Sequence, residues 1–145
     1  MRVKPLFSCV MPVKGPRPYM EEALASLSAQ NMDDELEVIV QDGDIESDSG
    51  QSDALNKGFA KAHGEWLFWL NADDVLLPWV LKCLEFRVKS LELREMEWIA
   101  GDTVYLDEKG VVQDVRTDAK WRPWFARHLS VWTGGPSAFF RHELW

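Results

Sequence analysis

The stretch Trp66-Leu67-Phe68-Trp69-Leu70-Asn71-Ala72-Asp73-Asp74 constrains this chain most. Five apolar residues, three of them aromatic, run directly into an amide and a pair of carboxylates. An apolar run of this length and composition reads as a strand buried on both faces, as in a parallel sheet. In open α/β sheets the ligand crevice lies just outside the carboxyl ends of such strands. Asn71, Asp73 and Asp74 fall there. An Asn and two Asp can hold a hard divalent cation, and the cation can in turn hold phosphate oxygens. The competing reading is that Asn71 and Asp73 cap the next helix. The stretch by itself leaves both open.

The neighbouring segments supply a context. Leu6 to Met11 reads as a strand, stopped by Pro12, Gly15, Pro16 and Pro18. Tyr19 to Gln30 carries Met20, Ala23, Leu24 and Leu27 on one helical face. Leu36 to Val40 makes a second strand, ending at Gln41-Asp42-Gly43. After a short acidic loop, Asp48 and Gln51 have capping-box spacing, and Leu55, Phe59 and Ala62 line a helix that ends at Gly64. The third strand is Glu65 to Leu70. Pro78 suits the first turn of a further helix, whose stripe runs through Leu77, Leu81, Leu84, Val88 and Leu91. Trp98 to Leu106 and Val111 to Val115, joined by Asp107-Glu108-Lys109-Gly110, read as a hairpin. Lys120 to Leu129 has no clear period, and Pro136 to Arg141 reads as extended. Strand-helix order three times over implies a parallel sheet with helices on its faces. The 145 residues suffice for a single domain over 1–145.

Composition narrows the function classes. A net charge of −8 argues against a nucleic-acid binder, which needs basic patches. No apolar run approaches a membrane span, and the amino-terminal residues make a poor signal peptide. The expected location is therefore cytoplasmic. Cys9 and Cys83 are too few for a disulfide framework and are expected to be buried thiols. No glycine-rich dinucleotide loop, P-loop or nucleophile elbow is present, and His63, His128 and His142 lack metal-ligand spacing. Asp42 ends the second strand as Asn71 to Asp74 end the third. Two acidic strand ends, expected on neighbouring strands, favour a binding crevice over simple capping.

The ordered segments then resemble the family 2 glycosyltransferases of the GT-A fold. The resemblance rests on Phe7-Ser8-Cys9-Val10-Met11-Pro12-Val13, on Val38-Ile39-Val40-Gln41-Asp42-Gly43, and on Asp48-Ser49-Gly50-Gln51-Ser52-Asp53-Ala54-Leu55-Asn56-Lys57-Gly58-Phe59. It continues through His63-Gly64-Glu65, the D-x-D-type Leu70-Asn71-Ala72-Asp73-Asp74, Gly101-Asp102, and Ser137 to Trp145. It implies a Rossmann-like three-layer α/β sandwich with a mainly parallel central sheet. It also implies a nucleotide-diphosphate sugar as donor and transfer with inversion. Asp42 would meet the base, with Pro12 of the opening strand lining the donor site. Asp73 would bind Mn²⁺ or Mg²⁺ bridging the diphosphate, flanked by Asn71 and Asp74. Asp53, Asn56 and Lys57 would shape the donor pocket, or else lie solvated on their helix.

Two departures from the family pattern stand out. The family places a further helix and strand between the Asp42-Gly43 end and the Asp48 segment, whereas only Asp44 to Ser47 intervene here. The core is then reduced by one βα unit. Loss of that strand bares an edge beyond the second strand, which invites pairing with another chain, a homodimer for instance. The downstream carboxylate that serves the family as general base lies outside this sequence. Asp102 is the substitute, against the alternative that it pairs with backbone or Arg116. A degenerate, non-catalytic GT-A module that binds nucleotide or a partner protein is the second reading.

Overall fold

The computed structural model describes residues 4–90, 96–117 and 137–145. Strand β1 (Phe7–Val13) is followed by α1 (Met20–Ser28), β2 (Leu36–Asp42), α2 (Gln51–Phe59), β3 (Trp66–Trp69) and α3 (Val80–Lys89). The short strands β4 (Trp98–Ala100), β5 (Thr103–Leu106), β6 (Val112–Arg116) and β7 (Ala138–Arg141) follow, and 3-10 turns lie at Asp33–Glu35 and His142–Leu144. The main sheet has the order β2-β1-β3-β7-β4, and β5 and β6 form a separate hairpin. β1 runs parallel to β2 and β3, while β7 is antiparallel to both β3 and β4. Four of the five strands therefore point one way, with β7 reversed.

The side-chain alternation of β1 divides the core into two layers. Phe7, Cys9, Met11 and Val13 face α1 and α3, packing with Ala23, Leu27, Leu81, Val88, Phe68 and Phe139. Val10 faces the other way, with Phe59, Leu67 and Phe140 and with the partly buried Leu55 of α2. Helices cover both faces, as the three-layer expectation requires. On the α2 side the approach is close. A Cβ at Gly58 would collide with the γ-methyls of Val10, so only glycine lets the helix sit this near the strand.

Several boundaries differ from the sequence reading. The expected strand from Trp98 to Leu106 divides into β4 and β5 on either side of Gly101 and Asp102, because Gly101 N–H bonds to the Ser137 carbonyl and redirects the chain. α3 begins at Val80 rather than near Pro78, and Leu77 is exposed rather than on its buried stripe. Cys9 is buried, but Cys83 is exposed on the outer side of α3. The stretch Lys120 to Leu129 lies outside the described residues. Among the described residues β2 and β4 are the edge strands, and Val38 and Val40 of β2 are partly exposed.

A polar clamp closes the amino-terminal edge of the sheet. Buried Ser8 donates to Glu37 Oε2 at 2.5 Å and accepts from Gly64 N–H at 2.7 Å. His63 binds the same carboxylate through its backbone N–H and ring Nδ1, both at 2.8 Å. His142 Nδ1 meets the Gly64 carbonyl at 2.8 Å. Both histidines are structural, and His128 lies outside the described residues. Partial burial would raise the Glu37 pKa, but the Ser8 and His63 hydrogen bonds outweigh it and hold the carboxyl below its usual range.

Candidate nucleotide-sugar site

The opposite, carboxyl-terminal edge collects the acidic residues. Asp42 ends β2, Asn71 to Asp74 follow β3, and Asp102 follows β4. All three strands run in the same direction, so these groups share one rim. Asp42 and Asn71 are not on neighbouring strands, however: β1 lies between β2 and β3. Two strand spacings, about 10 Å, separate them. That gap suits an elongated ligand better than a single ion.

Pro12 helps open this gap. Val10 is the last β1 residue paired with β3, and Leu70 N–H bonds to its carbonyl at 3.0 Å. Beyond it β1 pairs with β2 alone, through Pro12 opposite Gln41 and Val13 opposite Asp42. Alternation along the strand turns the Pro12 nitrogen toward the β3 side, where it has no N–H to continue a ladder. The segment carrying Asn71 to Asp74 is thus free to diverge from β1.

Asp42 is held by a residue the sequence reading did not single out. Arg17, in the loop after β1, donates from Nη1 to Asp42 Oδ2 at 2.6 Å and from Nη2 to Oδ1 at 3.3 Å. Its Nη2 also reaches Asp44 Oδ2 at 2.9 Å, and its Nε donates to the Gly15 carbonyl at 3.2 Å. Asp44 N–H adds a bond to Asp42 Oδ1 at 2.9 Å. The Arg17 hydrogen bond, with the Asp44 N–H, holds the Asp42 carboxyl below the usual carboxylate range. The available signal was the pair of cations, Lys14 and Arg17, in the loop after β1, facing an acidic end of β2.

The Asn71 cluster is not a helix cap. α3 starts six residues after Asp74, and Trp79 at its N-cap makes no side-chain cap hydrogen bond. Instead Asn71 Nδ2 donates to Asp74 Oδ2 at 2.8 Å, and Asn71 Oδ1 accepts from Gln51 Nε2 at 2.8 Å. Gln51, at the start of α2, was expected to pair with Asp48 in a capping box rather than with Asn71. Burial pushes the Asp74 carboxyl above its ordinary pKa, the Asn71 bond opposes this, and the Asp73 charge adds to it. Asp73 itself is exposed on the rim.

The loop before α2 is tied down by the helix. Asp53 accepts from Ser49 N–H at 3.0 Å and pairs with Lys57 at 3.0 Å. Lys57 Nζ donates to the Ser47 carbonyl at 2.6 Å. These two residues hold the loop, while Asn56 is exposed one turn along. The expected capping box does not form, since Asp48 instead accepts from Gly50 N–H at 3.0 Å. Gly50 precedes the helix at φ 135°, a backbone conformation that glycine alone adopts readily. Asp102 is exposed, and Arg116 pairs with Asp114 and stacks over Tyr105 rather than serving as its partner.

Among the described residues no three His, Cys, Asp or Glu side chains converge on a metal site. The donor set fits a cation that arrives with its ligand. Mg²⁺ commonly takes only one or two protein carboxylates, the rest of its shell coming from substrate phosphates and water. Exposed Asp73, beside the tethered Asp74, offers that arrangement.

The chain is similar to known proteins over part or most of its length. Residues 44–90 match the family model described as glycosyl transferase family 2. An uncharacterized glycosyltransferase of Rickettsia felis is 29% identical, over 73% of this chain and 21% of that protein. Among solved structures, S. aureus TarS 1-349 superposes with a TM-score of 0.67 at 19% identity, covering 95% of this chain and 47% of that one. The UDP complex of TarS 1-349 gives 0.65, and its UDP-GlcNAc complex 0.61. The chain spans about half of these structures and about a fifth of the Rickettsia protein. Among the described residues no helix is long and apolar enough to cross a membrane. Residues 44–90 thus resemble glycosyl transferase family 2, and the chain has the α/β fold of the TarS structures.

Proposed function

We propose that this domain binds a nucleotide-diphosphate sugar along its carboxyl-terminal rim and passes the sugar to an acceptor hydroxyl with inversion. The single observation that carries the reading is the shared rim, with Asp42 and the Asn71-Asp74 cluster about two strand spacings apart on either side of β1. The TarS complexes with UDP and UDP-GlcNAc support a donor of this class. Asp42 takes the base end, with Pro12 beside it, and Asp73 takes the diphosphate end with Mn²⁺ or Mg²⁺. When bound, the cation neutralises charge developing on the leaving diphosphate. Asn71 and Asp74 orient that end, and Asp53, Asn56 and Lys57 keep the loop below it in shape.

Transfer would be a direct displacement. The acceptor oxygen forms a bond to the anomeric carbon, and the bond from that carbon to the diphosphate breaks. The nucleoside diphosphate leaves with the electron pair. The acceptor's proton goes to a carboxylate within hydrogen-bond reach, a role we assign to Asp102 from its position on the same rim. The exposed β2 edge, with Val38 and Val40, is where two copies would pair; gel filtration at several concentrations checks this.

Thermal unfolding with UDP, GDP and dTDP, each with and without Mn²⁺, tests donor binding. A specific ligand at one hundred times its dissociation constant stabilises by about 2.7 kcal/mol. No shift with any nucleotide in folded protein sinks the reading. Hydrolysis of a nucleotide sugar by wild type, lost in Asp102→Ala with nucleotide binding intact, separates an enzyme from a non-catalytic nucleotide-binding module.

A further inference from the structure

Asp73, the residue read as the cation ligand, stands third in the tight turn from Asn71 to Asp74. The turn is closed twice. Asp74 N–H bonds to the Asn71 backbone carbonyl at 3.1 Å, and Asn71 Nδ2 donates to Asp74 Oδ2 at 2.8 Å. An ionised carboxylate only accepts hydrogen bonds, so Asn71 must present its amide NH₂ to Asp74. Its side-chain oxygen then points away, and a donor on that side fixes the amide plane. Gln51 Nε2 is such a donor, at 2.8 Å. That oxygen is the atom through which an asparagine holds a hard cation, and Gln51 has engaged it. The backbone at Gln51 is itself fixed. Gly50 N–H goes to Asp48 Oδ1 and Ser49 N–H to Asp53 Oδ2, both at 3.0 Å. Ala54 N–H bonds to the Gly50 carbonyl at 3.0 Å as α2 begins.

We propose that Gln51 is a positioning residue for the cation: it holds the Asn71 side-chain oxygen, so that Asn71 braces the Asp73-Asp74 turn from outside the coordination shell instead of entering it. This rests on the reading of Asp73 as the residue that takes Mn²⁺ or Mg²⁺ with the diphosphate. Substitutions at Gln51 separate positioning from mere proximity, because charge and hydrogen-bond polarity predict opposite orders. By Coulomb attraction alone, a negative charge added beside a cation site strengthens cation binding, and a positive charge weakens it. By hydrogen-bond polarity, Gln51→Glu removes the donor and sets an acceptor against the Asn71 oxygen. Two carboxylates then compete for one NH₂ group, and Asp74 loses its hold on the amide. Gln51→Lys keeps a donor at the same place. Gln51→Met keeps the length of the side chain and supplies neither charge nor donor.

Uptake of Mn²⁺ by the full chain with UDP present, beyond what UDP alone takes up, tests this. The free Mn²⁺ electron paramagnetic resonance signal reads it in wild type, Gln51→Met, Gln51→Lys and Gln51→Glu, each first shown to be folded by thermal unfolding. Gln51→Met should weaken uptake by about three- to tenfold, the net effect of one hydrogen bond. Gln51→Lys should bind more tightly than Gln51→Met, and Gln51→Glu should bind most weakly of the three. Any other order overturns the proposal, the charge order above all, and so does uptake equal to wild type in all three variants. Those results leave Asp73 standing as the cation ligand. No UDP-dependent uptake by folded wild type overturns both readings.

Discussion

Asn71 and Asp74 are joined by a 2.8 Å hydrogen bond from the Asn71 amide to the Asp74 carboxylate. The Asn71 carbonyl meanwhile accepts from Gln51, so one side chain links the end of β3, the turn after it and the start of α2. Asn71→Ala should break both links and leave Asp74 half-buried without that donor. The expected loss is about 1 kcal/mol in urea unfolding, with weaker nucleotide binding measured in parallel. Unchanged stability and unchanged binding would remove Asn71 from the site.

The clamp at the other end of the sheet should affect folding alone. Ser8 is fully buried and serves both Glu37 and the Gly64 N–H. Ser8→Ala strands a buried N–H and should cost about 1–3 kcal/mol. Because Ser8 lies on the edge away from Asp42 and Asp73, the folded variant should bind nucleotide as wild type does. A selective loss of binding in isothermal titration would contradict that separation.

Gly58 reverses the usual helix rule. Alanine for glycine inside a helix ordinarily stabilises by up to about 1 kcal/mol. Here the added methyl meets Val10, and overpacking of this kind costs about 1–3 kcal/mol. Thermal unfolding should show Gly58→Ala less stable than wild type. Val10→Ala in the same chain should recover part of the loss, whereas strict additivity of the two changes would argue against the contact.

Acid stability should depend on α3. The Lys89 hydrogen bond, helped by Lys82, pulls the Glu85 carboxyl down to about 2. A carboxyl lowered on folding adds stability above its unfolded pKa, and that contribution disappears as pH falls through the folded value. Glu85→Gln should therefore flatten the pH dependence of unfolding between about 4.5 and 2. Asp74 works in the opposite sense. Its raised pKa makes its contribution largest at low pH and smaller as pH climbs past the ordinary carboxylate range. A stability profile from pH 2 to 7 that is the same in wild type and Glu85→Gln would contradict the assignment.

Much of this molecule could be read from its sequence, for identifiable reasons. Trp66 to Leu70 behaves as a buried central strand because apolar side chains point to both faces of a covered sheet. Met20, Ala23, Leu24 and Leu27 face the core because their spacing follows the helix period. What escaped notice depends on tertiary placement. Arg17 lies 25 residues from its partner Asp42, and Gln51 lies 20 from Asn71. No local period encodes such pairs. β7 enters the sheet between β3 and β4 from far along the chain, so sequence order alone could not give its position or direction.

The most direct test concerns Asp73 and a cation that comes with the diphosphate. The amplitude of the free Mn²⁺ electron paramagnetic resonance signal, recorded with and without UDP in wild type and Asp73→Ala, measures it. Wild type alone should leave most Mn²⁺ free, since no three acidic, His or Cys ligands converge among the described residues. Adding UDP should remove the free signal well beyond what UDP alone removes, and Asp73→Ala should abolish that excess. Equal Mn²⁺ uptake by wild type and Asp73→Ala in the presence of UDP would contradict a metal–diphosphate site at the end of β3.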